Sequence, residues 1–339
     1  MNKRKVVKQN VGLDISKDDF KICYYHQYED FKQVIKGTRR FKNTLTAFRE
    51  FLKWVDKRSS TDVLVRITLE ATGVYYEQLV HFLKDKTDYH ISVVLPNKSK
   101  SFAKSYNIKT KTDSVDAKIL GIMGLERDLK AWQPPSPKLF TIKQLSRDRI
   151  ALTEEKVALM NKLHALNHSF EPNNSVIKRM TIRLKLIKKQ LMQVETELKK
   201  AVKKDPELSE RIDKVCKVKG LGFITVATII AETNGFELFT SRAQLTSYAG
   251  YDVVENQSGS SVRGKQRISK KGNRFIRRAL HFPALSARKY EPQFKNLYER
   301  VLERTAIKMK ACVAVQRKLL LLIYTLFTKN IAYDPNYQN

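Results

Sequence analysis

Two runs of apolar residues stepping by three and four, separated by one turn, constrain this chain more than any other feature. Leu152, Leu159, Leu163, Leu166 and Phe170 line the first run, and Ile177, Met180, Leu184, Ile187, Leu191, Val194, Leu198 and Val202 line the second, with Pro172-Asn173-Asn174 between them. Such spacing places an apolar stripe on one face of each of two long helices, and predicts a helical hairpin with a coiled-coil seam. Asp205-Pro206 ends the seam, and Pro134, Pro135 and Pro137 break the chain before it. A chain of 339 residues exceeds what one hydrophobic core usually serves. The expected division is therefore 1–133, then the hairpin over 134–205, then 206–339.

The first part reads as an α/β layer fold, and the last as mostly helical. Val11-Gly12-Leu13-Asp14-Ile15 leads into apolar runs at 20–25 and 31–35, the pattern of a short antiparallel meander. An amphipathic helix over 45–55, a β-branched strand over 63–69, a helix over 76–83 and a strand over 91–95 ended by Pro96 follow. A further helix is expected over 114–129. Strands alternating with helices imply an α/β fold. Val218-Lys219-Gly220-Leu221-Gly222 fits two descriptions equally: a helix-hairpin-helix turn whose amides approach phosphate, or an ordinary glycine turn between packed helices. Residues 257–264 read as a polar, flexible loop, helix resumes near 273, and the apolar run 319–327, too short to span a bilayer, reads as a buried C-terminal helix.

Four acids stand where chemistry can be built. Asp14 lies in the first strand, Glu70 ends a later strand before Ala71-Thr72-Gly73, and Asp113 and Asp116 sit three apart at a helix start. Acids at strand ends and on one helical face can converge, and crowded carboxylates stay ionised only if cations compensate them. Two divalent ions about 3.5–4 Å apart stabilise both the attacking and the leaving oxygen of phosphoryl transfer. Oxygen ligands point to Mg²⁺ or Mn²⁺. Taken singly, Asp113 serves equally well as a helix cap and Glu70 as a solvated strand end. In order, a strand Asp, a strand-end Glu and a D-x-x-D helix form the layout of a ribonuclease-H or RuvC-like nuclease domain.

A second constellation is Ser258-Gly259-Ser260-Ser261-Val262-Arg263-Gly264, followed by Lys265, Arg267, Lys270, Lys271, Arg274 and Arg277. From Arg263 to Arg278 there are eight basic residues and no acid, a run suited to holding phosphates. A hydroxyl beside it can attack a phosphodiester and keep the bond energy in a covalent intermediate. Alone, the segment reads better as a solvated Gly/Ser linker next to a basic helix. Across the chain, 65 Lys and Arg face 34 Asp and Glu, a net charge of +31, and a polyanion is the natural partner for such an imbalance. Cys23, Cys216 and Cys312 lie far apart with no C-x-x-C pair, which supports neither a zinc ribbon nor a disulfide framework and fits a reducing cytoplasm. His164 and His168, four apart, are set aside as solvated or packed, and neither a signal core nor a membrane partner is expected.

Asp14, then Leu69-Glu70-Ala71-Thr72-Gly73-Val74-Tyr75, then Lys111-Thr112-Asp113-Ser114-Val115-Asp116-Ala117, then Tyr248-Ala249-Gly250 and the segment 258–263 together resemble the IS-one-ten family of insertion-sequence transposases, whose relatives include Piv-type DNA invertases. The resemblance runs from about residue 10 to about residue 330, in the same order and at similar spacing. It implies a RuvC-like domain with a DEDD metal site, a coiled-coil insertion and a transposase domain with a catalytic serine. Asp14, Glu70, Asp113 and Asp116 match the DEDD set, and Ser258 matches the serine opening the S-G-S-S-V-R-G segment, with Ser260 and Ser261 close by. It further implies Mg²⁺ or Mn²⁺, a homo-oligomer (dimer or tetramer), a structured guide or bridge RNA, and donor and target DNA as substrates, at the bacterial nucleoid. The alternative function is a RuvC-like structure-selective endonuclease that needs the acids and forms no covalent intermediate. A non-enzymatic RNA-binding scaffold is the third class.

Overall fold

In the computed structural model, which describes residues 4–108, 112–237, 239–255, 257–258, 262–264 and 266–334, the chain divides into two compact units, Met1–Pro134 and Pro135–Asn339.

The N-terminal unit is a three-layer α/β/α sandwich. Strands β1 (Val6–Ile15), β2 (Asp19–Tyr28) and β3 (Gln33–Lys42) form the antiparallel meander, longer than its apolar runs suggest. Helix α1 (Leu45–Asp56) follows, capped by Thr44 and burying Ala47, Phe48, Phe51, Trp54 and Val55 at helical spacing. After β4 (Val65–Glu70), α2 (Glu77–Lys86) and β5 (His90–Val94), the chain enters α3 (Pro96–Ser105), then α4 (Asp113–Glu126). The sheet order is β3-β2-β1-β4-β5, with β1, β4 and β5 parallel. One face packs Leu13, Phe20, Tyr24, Ile67 and Leu69 against α1 and α2. The other face receives α4, through Cys23, Tyr25, Ala117 and Leu125.

Helix α5 (Pro137–Asn167) opens the second unit, and α6 (Asn174–Lys203), capped by Asn173, packs along it. The two helices fall within the expected 134–205 hairpin, and α5 starts at Pro137 because a missing N–H costs nothing in the first helical turn. The roots of the pair, Leu139, Ile142, Leu198 and Val202, belong to the core of the second unit. Farther out Leu159, Ile187 and Val194 are buried, while Leu152, Leu163 and Leu166 are half-buried and Phe170 is 93% exposed. The stripe is thus only partly covered within one chain.

The remaining helices are α7 (Pro206–Cys216), α8 (Phe223–Glu232) and α9 (Arg242–Ala249), then α10 (Arg274–Ala279), α11 (His281–Tyr290), α12 (Pro292–Thr305) and α13 (Lys308–Lys329). Between α7 and α8 the glycine turn is a packing turn. A Cβ on Gly220 would lie 2.9 Å from the Ala287 amide nitrogen, and the Lys219 amide donates to Glu291 (3.2 Å). Helix α13 is long and apolar enough to cross a membrane by length and composition, yet Leu319, Leu320, Ile323, Leu326 and Phe327 are buried in this unit's core. Cys23 and Cys312 are buried thiols and no cysteine is paired.

Candidate active site

Asp14 and Glu70 reach the same end of the sheet because β1 and β4 are adjacent and parallel, with Leu13 opposite Leu69 and each acid one residue on. Asp113 and Asp116 occupy the first turn of α4, whose N-cap Thr112 accepts from the Val115 amide. What brings that turn over Asp14 is the closeness of α4 to the strands. A Cβ on Gly12 would fall 2.1 Å from the Ala117 carbonyl oxygen, and one on Gly124 2.2 Å from Thr68 Oγ1. Asn10 locks this approach. Its Nδ2 donates to the Gly121 carbonyl (2.7 Å) while its Oδ1 accepts from Thr68 Oγ1 (3.1 Å).

Asp14 feels the charges of the other three acids. The Asp14 carboxyl is pushed up to about 6, first by burial and then by the charges of Asp116, Asp113 and Glu70, with Lys21 pulling the other way. Asp113, by contrast, is held below the usual carboxylate range by Lys21, whose Nζ lies 3.0 Å from its Oδ2. Glu70 is held at both oxygens, by Thr72 Oγ1 at 3.2 Å and by the buried Ser99 hydroxyl. A hard divalent cation fits this donor set: it is all carboxylate oxygen, and the charges of three further acids add to burial in raising Asp14. Among the described residues, no three acidic, histidine or cysteine side chains are yet gathered in ligand geometry.

The described residues of the serine segment are paired in short strands. Short strands β6 (Val253–Val254) and β9 (Arg267–Ile268) pair antiparallel, and inside them β7 (Gln257–Ser258) pairs with β8 (Val262–Arg263), Ser258 opposite Val262. Backbone pairing therefore carries Ser258 near the tip of a two-tiered hairpin, while Ser260, Ser261 and Lys265 lie outside the described residues. Arg267, Lys270, Lys271 and Arg274 are exposed. Arg277 is turned inward, its guanidinium donating to the Ala249 carbonyl (2.7 Å).

The base of the hairpin is clamped. Ser269 binds Asp252 through its amide (2.8 Å) and its hydroxyl (2.6 Å), and the Asn273 amide donates to the Tyr248 carbonyl (2.7 Å). Asn273 also caps α10 through Phe275 and Ile276, and its Nδ2 reaches Glu232 Oε2 (2.7 Å). The Glu232 side chain is 0% exposed and is met by Arg147 of α5 at both oxygens, 2.6 and 2.9 Å. Sequence reasoning passed over Asn10, Thr68, Ser99, Lys21 and this Arg147–Glu232–Asn273 clasp. The one signal available was polar residues, Asn10 and Thr68, inside otherwise apolar strands.

Residues 11–170 match a family model described as transposase, of the DEDD IS110 type, and residues 213–299 match the model "Transposase IS116/IS110/IS902 family". The chain is 26% identical over 332 residues to the pilin gene-inverting protein of Moraxella bovis, covering 96% of this chain and 98% of the relative. The pilin gene-inverting protein of Moraxella lacunata is also 26% identical over 332 residues, with the same coverage. An uncharacterized 43.6 kDa protein of insertion element IS110 from Streptomyces coelicolor is 24% identical over 115 residues, 34% of this chain and 28% of the relative.

Proposed function

The chain belongs to the IS110 family of transposases, related to the Piv-type invertases, and from that premise we propose that it cuts and rejoins DNA through a serine nucleophile and a divalent-metal site, guided by a structured RNA. The observation that carries the metal site is the convergence of Asp14 and Glu70, one residue beyond the Leu13–Leu69 pair of adjacent parallel strands, with Asp113 and Asp116 in the first turn of α4 close enough for their charges to act on Asp14. The sheet order, with the two strand acids on adjacent parallel strands and α4 across them, supports a RuvC-like reading of the N-terminal unit.

Asp14, Glu70, Asp113 and Asp116 would hold Mg²⁺ or Mn²⁺, which supplies charge stabilisation to a phosphoryl group in transfer. Thr72 and Ser99 fix the direction in which Glu70 offers its oxygens. Ser258 Oγ attacks the phosphorus of one phosphodiester: a serine–phosphorus ester bond forms, the bond to the deoxyribose oxygen breaks, and that oxygen leaves with the serine's proton. Attack by the hydroxyl of another strand reverses the step and frees Ser258, so rejoining needs no external energy source. Arg267, Lys270, Lys271 and Arg274 hold phosphates beside it, and Arg263 and Lys265 continue the same basic run in the sequence. Arg277, pinned to the Ala249 carbonyl, holds the frame of that run.

The test is adduct trapping on a denaturing gel with protein co-expressed with its native element. A slow-migrating DNA adduct is expected that needs Mg²⁺ or Mn²⁺, disappears in Asp116→Ala and Ser258→Ala, and disappears when co-purifying RNA is digested. Cleavage by Asp116→Ala in chelator would remove the metal site, an adduct in Ser258→Ala would move the nucleophile to Ser260 or Ser261, and recombination by RNA-free protein would remove guidance. Cleavage with no adduct in the native protein would leave a metal-dependent endonuclease.

A further inference from the structure

Asp14, Lys21 and Arg40 stand in one lateral row across β1, β2 and β3, since Asp14 pairs with Lys21 and Lys21 pairs with Arg40. Residues directly opposite in paired strands share a face, with Cβ atoms about 4.5–5.5 Å apart. Two cations therefore extend from the acidic site along the same face of the sheet that α4 covers. Both are engaged by acids, Lys21 by Asp113 at 3.0 Å and Arg40 by Asp19. The Arg40–Asp19 pair sits at the sheet edge with the Arg40 side chain 65% exposed, whereas Lys21 is 28% exposed and lies between the acids and that edge.

We propose that Lys21 and Arg40 form a phosphate rail that holds the backbone of the DNA strand entering the acidic site, and that a divalent ion frees Lys21 for this role by taking Asp113 from it. The inference rests on the reading of the four acids as a metal site. Among the described residues, Asp113 is paired with the Lys21 ammonium group, which stands where a divalent ion would sit. Exchange of that ammonium for a divalent ion completes the ligand set and leaves a lysine beside it with its charge uncompensated. A strand phosphate adjacent to the one being cut is the group of opposite charge that arrives next. Arg40, one strand farther out, presents a guanidinium, whose planar fork suits phosphate oxygens better than a single carboxylate at an exposed edge. The rail thus couples the two ligands: metal binding makes the site a better holder of DNA, and DNA must tighten metal binding by the same factor.

The experiment uses the full-length protein, a short mixed-sequence DNA duplex and Mn²⁺, with Lys21→Gln, Arg40→Gln and Asp116→Ala, each checked for an unchanged thermal melt. In the native protein Mn²⁺ tightens DNA binding. Lys21→Gln is expected to bind Mn²⁺ roughly fivefold more tightly without DNA, because the competing ammonium is gone, and to lose most of the Mn²⁺-dependent gain in DNA affinity. Arg40→Gln should lower the slope of log affinity against log salt by about one and leave Mn²⁺ binding alone. The proposal is overturned if Lys21→Gln binds Mn²⁺ no more tightly or keeps the native gain, or if Arg40→Gln leaves the slope unchanged. The metal reading fails separately, if Asp116→Ala binds Mn²⁺ as tightly as the native protein; the Arg40 slope then still decides whether the rail exists.

Discussion

Asp14 binds its proton more tightly in the folded chain than in the unfolded one, since burial and the charges of Asp116, Asp113 and Glu70 raise its carboxyl from 3.8 to about 6. The sign of the linkage follows: a group with a raised folded pKa favours the folded state below its unfolded pKa, and that contribution is lost as pH rises through the folded value. Metal-free protein should therefore gain stability from Asp14 as pH falls from about 7 to about 4, and Asp14→Asn should flatten that part of the melting-temperature profile. Saturating Mg²⁺ should flatten it as well, by stabilising the ionised form; an identical profile in Asp14→Asn and native protein would show that the crowding is not felt. Glu232 matters for stability through its partners. Its fully buried side chain is matched by Arg147 and Asn273, so Glu232→Ala removes the acceptor that the guanidinium and the amide share. The loss expected on breaking a buried pair is about 3–5 kcal/mol, toward the lower figure here because Arg147 is 44% exposed, read as a shift in the urea midpoint. Because the clasp anchors the base of the Ser258 hairpin, Glu232→Gln, which keeps the hydrogen-bonding shape, should retain more stability than it retains of the trapped adduct.

At the scale of elements, α4 decides whether four acids distant in sequence become one site. Its fit against the sheet has no room at Gly12 or Gly124, so Gly12→Ala must push the helix outward by more than a side chain can yield. Overpacking of this kind costs about 1–3 kcal/mol. Here Mn²⁺ affinity should also drop by more than tenfold, because Asp113 and Asp116 move with the helix; Mn²⁺ binding unchanged in a destabilised Gly12→Ala protein would count against α4 as the positioning element. Most of these elements were legible, because their apolar residues keep one period: two in the strands around Leu13, Ile22 and Ile67, and three to four in α1 and α6. Helix α3 was not, since Ser99 and Phe102 are its only buried residues and the lysines around them look like a solvated linker. The β6–β9 hairpin was missed for a related reason. Two-residue strands flanked by Gly and Ser carry no periodicity, and their pairing is set by the Ser269–Asp252 and Asn273–Tyr248 bonds at the base, which are contacts across the fold. The acids were singled out through their order along the chain, whereas Lys21 was not, because register across β1 and β2 is a property of the sheet.

For the whole molecule, the apolar surface of the α5–α6 pair is what one chain leaves unfinished. Val157 and Met160 on α5, and Ile182, Leu186 and Met192 on α6, are exposed, and a helical seam of this length buries its remaining stripe against other helices. We propose that a second copy of the chain provides them, and that each working site is then composite, with Asp14, Glu70, Asp113 and Asp116 from one protomer and Ser258 from another. Such sharing would keep a lone protomer from cutting DNA that it has no means to rejoin. The test mixes Asp14→Ala protein with Ser258→Ala protein under conditions where subunits exchange. With sites formed between protomers, a mixed pair contains one site with every group and one with neither, so the DNA adduct should return although each variant alone is inactive. With sites formed inside a protomer, every site in the mixture lacks either its metal ligand or its nucleophile, and none can be rescued. The yield is informative as well: with random exchange of two equal populations, about half of the dimers are mixed and each carries one intact site, so roughly a quarter of the native adduct is expected. Mixed oligomers confirmed by tagged pull-down, with no adduct above that of the separate variants, would place all five groups in one chain. Substituting Val157, Ile182 and Leu186 by Glu should abolish the rescue and shift the protein to a smaller species in light scattering, while each unit keeps its fold, because these side chains face solvent in the single chain.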